Sequence, residues 1–308
     1  MQQATGAYTG NGTSQAITGL GFAPDFVIVR GRTDGDISQC TVARTKDMTS
    51  TYGLGRQTIP PWYANAVTSL DADGFTVGTE DKVNKSGWLY YWVAFRNSGA
   101  GDFVIGKYTG DGNDNRDIAV VGMTQPEFLF LMGNGQCAIY HHKDHPGTDA
   151  ASPFDDVARP NYVQKFNADG FQVGSSDWAN ELGTVFYYAL FKSSSNVKVG
   201  SFTGDGADDR SIAVGFRPDY VIVGQDGAWA MQRMSSSPVG DTSWVAASYG
   251  FLHDACRADN IQALEANGFQ VGTNAKVNKN GEVMMFLATR SVADTLGGAI
   301  TAVLCAIR

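Results

Sequence analysis

Three of the four histidines stand together in Tyr140-His141-His142-Lys143-Asp144-His145-Pro146, a local density of imidazole that raises metal ligation and acid–base catalysis at once. On a strand, His141 and His142 point to opposite faces, so they share a metal only across a bulge; an exposed or interface strand is the plainer reading. Asp111-Gly112-Asn113-Asp114-Asn115 and Asp205-Gly206-Ala207-Asp208-Asp209 gather enough oxygens to suggest Ca²⁺, with Asp111, Asp114, Asp205 and Asp208 as the ligands. Their spacing is not that of an EF-hand loop, and a third segment of the same shape holds only Asn11-Gly12-Thr13-Ser14-Gln15, so solvated turns are expected, with no metal and no other cofactor. Asp25, Glu127 and Asp219 each follow a proline and read as strand-start residues. General acid–base work would need two carboxylates whose pKa values are held apart, and none is visible. The Thr-Gly-x-Gly segments at Thr9, Thr109 and Thr203 lack the Lys-Ser/Thr and the helix of a phosphate loop. The chemistry on offer therefore points to a protein without enzymatic activity.

What remains is recognition. The stretches 31–64, 133–160 and 224–258 differ strongly in length and content, and they carry Tyr52, Trp62, Tyr63, Tyr140, Trp229, Trp244 and Tyr249, with His142 beside them. A ring supplies large contact area at small entropy cost, which makes these the candidate partner- or glycan-binding residues. The competing reading is that most of them fill the interior.

Composition narrows the partners. The chain has 308 residues, 37 of them glycine, with 43% hydrophobic and 18% charged side chains, which is globular rather than disordered. With 31 acidic against 23 basic residues the net charge is −8, and no stretch concentrates Lys and Arg, so nucleic acid is not an expected partner. No apolar run reaches the ~18 to 20 residues of a membrane helix, so no membrane insertion is expected either. The first ten residues show neither a basic nor an apolar signal region. Cys40, Cys137, Cys256 and Cys305 are scattered singly, which fits synthesis in a reducing cytoplasm.

The elements that must position these residues occur three times. Gly6-Ala-Tyr8-Thr9-Gly10-Asn-Gly12 is matched by Gly106-Lys-Tyr108-Thr109-Gly110-Asp111-Gly112 and by Gly200-Ser-Phe202-Thr203-Gly204-Asp205-Gly206. Phe26-Val27-Ile28-Val29 is matched by Phe128-Leu129-Phe130-Leu131 and Tyr220-Val221-Ile222-Val223. Gly74-Phe75-Thr-Val77-Gly78, Gly170-Phe171-Gln-Val173-Gly174 and Gly268-Phe269-Gln-Val271-Gly272 each precede an Asn-x-x-Gly at the same interval: Asn84 and Gly87, Asn180 and Gly183, Asn278 and Gly281. An apolar run follows each time. These are strand-and-turn signatures. Asp73-Gly74, Asp169-Gly170 and Asn267-Gly268 are expected as tight hairpins with a positive-φ glycine, and the Asn-x-x-Gly groups as a second turn. No long helical period is present inside a unit.

The fold class is therefore all-β: three tandem β-sandwich domains, jelly-roll or lectin-like, of six to eight strands each. Their boundaries are 1–99, 100–195 and 196–290, joined by short polar linkers that favour a compact three-lobed body. A tail, 291–308, has no counterpart. Val292, Leu296, Ile300, Val303, Leu304 and Ile307 would share a helical face behind a Ser291/Asp294 cap, although Gly297 and Gly298 weaken that helix and 300–307 reads equally as a strand. It either docks on its own chain or enters a partner subunit, with Leu296, Ile300, Val303, Leu304 and Ile307 as candidate oligomerisation residues.

The combination Tyr-Thr-Gly-x-Gly, Gly-Phe-x-Pro-Asp-Phe-Val, Gly-Phe-x-Val-Gly and Asn-x-x-Gly followed by Tyr-Tyr resembles a repeat domain of tailed-bacteriophage structural proteins, found in tail fibres and other appendages. The second copy departs with Glu127 and Met123, and the third with Met284-Met285-Phe286 in place of Tyr-Tyr. The resemblance implies a virion component at the particle surface, a fibre, spike or capsid decoration protein, and supplies no catalytic residues. It implies other virion proteins as partners and a homo-oligomer, with a trimer suited to the repeat count. The alternative is a lectin-like binder of host-surface glycan that acts through the aromatic loops.

Overall fold

The structure, a computed structural model, describes residues 1–31, 41–48, 63, 65–133, 138–145, 150–153, 159–226, 230–237, 242–245 and 257–291; the side chains of 150–153, 159, 242–245 and 257–258 fall outside the description. The chain is all-β, with six antiparallel sheets arranged as three sandwich-like pairs.

In the first unit, β1 (Gln2–Thr9), β3 (Phe26–Gly31), β4 (Thr41–Thr45) and β7 (Leu89–Arg96) form a sheet in the order β1-β7-β3-β4. The strands β2 (Gln15–Thr18), β5 (Val67–Asp71) and β6 (Gly74–Val77) form a smaller one, β2-β6-β5. The second unit repeats this with β8 (Phe103–Thr109), β10 (Phe128–Gly133), β11 (Ile139–His142) and β16 (Val185–Phe191), extended by β12 (Ala150–Pro153) and β13 (Arg159–Pro160), over β9 (Arg116–Ala119), β14 (Val163–Asn167) and β15 (Gly170–Val173). In the third, β17 (Val197–Thr203), β19 (Tyr220–Gly224), β20 (Met231–Met234), β21 (Thr242–Val245), β22 (Arg257–Ala258) and β25 (Val283–Thr289) face β18 (Arg210–Ala213), β23 (Ile261–Glu265) and β24 (Gly268–Val271). Seven described strands in the first unit match the expected six to eight; the added edge strands take the other two units beyond it.

In the small sheets the strands β2, β9 and β18 alternate buried and exposed residues, because one face meets protein and the other water. The central strands of the large sheets do not alternate: β3 and β19 are buried at every position. One face packs on the unit's own small sheet, as Val27 and Val29 pack against Phe75 and Val77. The other face enters a core shared by all three units, in which Phe26, Ile28, Val93 and Phe95 meet Phe103, Phe130 and Phe191 and then Val199, Tyr220 and Leu287. Two-sided burial is what a continuous apolar run requires. Phe95 touches rings of both other units, at 5.6 Å from Phe103, 5.3 Å from Phe191 and 6.1 Å from Tyr220. The units are thus three lobes on one core rather than independent sandwiches.

They also follow one another around that core. Thr5 of β1 shares a hydroxyl hydrogen bond of 2.8 Å with Ser235 just after β20, and Ser201 of β17 donates to Asp144 just after β11 at 2.9 Å. Between the second and first units, burial and then the charge of Asp47, which follows β4, push the hydroxyl pKa of Tyr188 up. Hydrogen bonds thus join the first unit to the third and the third to the second, and ring contacts such as Phe95 with Phe103 join the second to the first, so the cycle closes.

A single helical turn precedes the last strand of each unit: α1 (Asp81–Asn84), α2 (Asp177–Asn180) and α3 (Ala275–Asn278). Four residues are too few to show a 3.6-residue period, so the sequence pattern gives no sign of them. The three hairpin glycines also differ from expectation. Gly74, Gly170 and Gly268 sit at the first residue of a strand, and a Cβ there would lie 1.9, 2.0 and 1.9 Å from the carbonyl oxygens of Ile17, Ile118 and Ile212. Close approach of the neighbouring strand, more than turn conformation, demands glycine at these positions.

Candidate functional site

The residues common to all three units are spent on the backbone. Buried Asn180 ends α2, accepts from the Asp111 N–H at 3.1 Å, and donates to the Asp111 carboxylate at 2.9 Å and the Asn113 carbonyl at 2.7 Å. Asn278 makes the same set with Asp205 and Ala207. Asn84 accepts from Asn11 N–H and donates to the carbonyls of Gly78 and Thr13. The return bonds run from the amides of Gly87, Gly183 and Gly281 to the carbonyls of Gly10, Gly110 and Gly204. Thr-Gly-x-Gly and Asn-x-x-Gly are thus two halves of one clasp.

That clasp accounts for the candidate cation ligands. The Asn113 N–H, the Asn180 amide and the neighbouring Arg116, 3.4 Å away, hold the exposed Asp111 carboxyl below its ordinary range. For Asp205 the Ala207 N–H, the Asn278 amide and Arg210 at 3.3 Å do the same. Asp114 and Asp208 accept from Gln164 at 3.0 Å and Gln262 at 2.8 Å. Among the described residues no three His, Cys, Asp or Glu side chains converge on a point. The strand-start carboxylates fasten the unit boundaries: Asp25 accepts from Asn97 N–H at 2.7 Å, Glu127 from Ser193 N–H at 2.7 Å and Asp219 from Ser291 N–H at 2.8 Å.

Of the aromatic candidates, Tyr52, Trp62, Trp229 and Tyr249 lie outside the described residues, as do the tail residues Leu296, Ile300, Val303, Leu304 and Ile307. Trp244 is placed by its backbone alone, opposite Gln232. Tyr63 is half-buried against the first sandwich core, with the Lys82 ammonium 4.7 Å above its ring. Two candidates require correction, because neither can meet a glycan. Tyr140 is 2% exposed in the shared core, stacked 5.9 Å from Phe128, with its hydroxyl 3.4 Å from the Gln225 carbonyl. His142 is wholly buried; it accepts from Asp144 N–H through Nδ1 at 3.0 Å, which leaves Nε2 to donate to the Phe286 carbonyl at 3.3 Å. Both face the other units because, two residues apart on β11, they share the sheet face that builds the core.

The neighbouring His141 faces the opposite way, and there the second unit departs from the others. Its place between large and small sheet is held in the first unit by Arg44, which donates to the carbonyls of Val67 at 2.9 Å and Met48 at 3.3 Å. In the third it is held by Arg233, which donates to Ile261 at 2.9 Å. The shorter imidazole leaves a cleft of about 730 Å³, against about 130 Å³ beside Arg233. Its floor is a row of rings, His145 and His141 at 6.0 Å and His141 and Phe166 at 4.9 Å. Lys143, Lys165 and Lys192 stand around it. Phe166, Lys165 and Lys192 are absent from the sequence-derived candidates, yet the substitution of His141 for the arginine of the other copies was a readable signal of the cleft.

A family profile described as a domain of unknown function (DUF7483) matches residues 3–105, the first unit and the start of β8. No curated protein and no solved structure gave a match.

Proposed function

We propose that the chain is a non-enzymatic structural component of a tailed-bacteriophage particle, a surface-exposed fibre, spike or capsid decoration protein made in the host cytoplasm and resident in the virion. The observation that supports this reading is the closed cycle of three units on one core, in which the shared polar residues bind backbone. A scaffold of this kind presents variable loops from a rigid body, as accessory virion proteins must. Its partners are other virion proteins, and the chain forms a homo-oligomer, with a trimer suiting the threefold repeat. The test is sedimentation of particles of a phage carrying the gene, with antibody to the purified chain: the protein should band with intact virions and decorate them in electron micrographs. A protein found only in the soluble fraction of the lysate would refute it.

A second reading, a lectin-like binder of host glycan, is favoured by one specific observation, the ring-floored cleft of the second unit.

A further inference from the structure

We infer that the cleft of the second unit is a binding site for a carboxylated saccharide. The inference rests on the glycan-binding reading and names its site and ligand class. Four observations carry it.

The residue that opens the cleft is specific to one copy. All three units keep the sheet pair on either side, but Arg44 and Arg233 bridge that gap to the carbonyls of Val67 and Ile261, whereas the shorter His141 packs at a tilt against Phe166 and opens it. A feature the fold needs would be repeated. The change enlarges the space and removes the guanidinium from it, which leaves Lys143, Lys165 and Lys192 on the rim as the cleft's cations, Lys165 standing where the other units have Ser69 and Ala263.

Charge is the second observation. In a chain of net charge −8, the cleft sets three ammonium groups against one carboxylate, Glu127, which pairs with Lys143 at 3.0 Å, so Lys165 and Lys192 carry a local positive surplus that attracts an anion. The two carboxylates nearby are already engaged. Burial pushes the Glu127 carboxyl up, but bonds from Ser193 and Lys143 outweigh it and hold it below the ordinary glutamate range. Asp117 accepts from Asn167 at 2.8 Å and Gln172 at 2.9 Å.

Third, the floor is lined by rings and partly apolar, with Phe166 inclined at 60° to His141. The half-buried Phe166 ring with His141 and His145 beside it offers a face to the C–H side of a pyranose, at the low entropy cost of rings already packed.

Size and donor type decide between anions. At about 730 Å³ the cleft has the volume of a small-ligand site, and a lone phosphate would leave most of it empty. The rim carries flexible lysine point charges rather than an arginine fork or a nest of backbone amides, so it suits carboxylates spaced along a sugar chain better than one compact tetrahedral anion.

The experiment is titration calorimetry on the full chain with tri-galacturonic acid and sialyllactose as carboxylated probes, galactotriose and lactose as neutral ones, and inorganic phosphate. At least one carboxylated probe should bind with a Kd below about 1 mM, and its neutral partner about tenfold or more weaker. His141→Arg, which restores the side chain of the other units and should leave the melting temperature unchanged, is expected to lose about tenfold or more in affinity; Lys165→Ala, on the exposed rim, should lose several-fold. Failure of both carboxylated probes to bind, equal binding by His141→Arg, or phosphate binding as tightly as the saccharide would each overturn the assignment. A glycan array separates the two levels. Glycans bound equally by wild type and His141→Arg would leave the lectin reading standing without this cleft, and no glycan bound by the wild type would remove both.

Discussion

The Nε2 atom of His142 in β11 lies 3.3 Å from the carbonyl oxygen of Phe286 in β25, so a buried imidazole of the second unit bonds the backbone of the third. Burial pushes its pKa down to about 4, against the attraction of Asp144. The unfolded chain takes up this proton near pH 6.5, the folded chain only near 4, so the neutral imidazole's contribution is complete above pH 6.5 and is lost as pH falls through that window. The loss amounts to about 3 kcal/mol by pH 4. Thermal unfolding measured from pH 7.5 to 4 should show the decline. His142→Met, which installs the residue that Met234 supplies at the matching strand end, should flatten it. An unchanged pH profile in that variant would place the titration elsewhere.

Asn180 tests the clasp. Removing the amide in Asn180→Ala strands the Asn113 carbonyl and the Asp111 amide, and about 3 kcal/mol of unfolding free energy should be lost in urea titration. Asn180→Asp should be at least as damaging, since it sets a second carboxylate against Asp111, whose oxygen now lies 2.9 Å from the Asn180 amide. Asn84→Asp should cost less than Asn180→Asp, because the neutral Asn11 stands where Asp111 does in the second unit.

For Tyr140, stability rather than ligand binding is the expected readout. Tyr140→Ala empties a buried ring site in the shared core and should cost about 3 to 5 kcal/mol. Tyr140→Phe should cost under about 1 kcal/mol, because the hydroxyl's bond to Gln225 is long, at 3.4 Å. Differential scanning calorimetry distinguishes the two, and equal losses would mean that the hydroxyl matters more than the ring.

Tyr140 also shows where sequence stopped being informative. The strands, the hairpins and the Asn-x-x-Gly turn were legible because their periods and spacings recur three times, and local geometry dictates them. Residues peculiar to one copy have more than one cause: His141, in place of arginine, opens a cleft, whereas Tyr140 and His142 are buried in the interior. Matched positions in the three units hold Ala43, Tyr140 and Gln232, all buried. Three lobes that share one core cannot each place a large ring in it, so the core itself demands differences between copies. Gly224 follows the same logic: a Cβ there would lie 2.8 Å from the Tyr140 hydroxyl. Such complementarity lives between residues far apart in the chain, and no spacing within a unit encodes it. Lys165 and Phe166 were missed for a related reason, since one strand's rim residues acquire meaning only beside the imidazole across from them.

The shared core makes the lobes interdependent, although the boundaries at residues 99 and 195 look like those of separable domains. Released alone, residues 1–99 would expose Phe26, Ile28, Tyr91, Val93 and Phe95, each 2% exposed or less in the full chain. At about 2 to 3 kcal/mol for each large side chain left in water, the isolated unit loses an amount comparable to a typical domain's entire margin. Residues 1–99 should therefore fail to persist as a folded monomer, and will either aggregate or associate through that face. In the full chain, Phe95→Ala should lower the melting temperature of a single transition instead of splitting off one lobe, since Phe95 contacts rings of both other units. Light scattering on the fragment and calorimetry on the variant check the two statements. A monomeric, cooperatively folding 1–99 fragment would show that the small-sheet core suffices and that the common core is an ordinary interface.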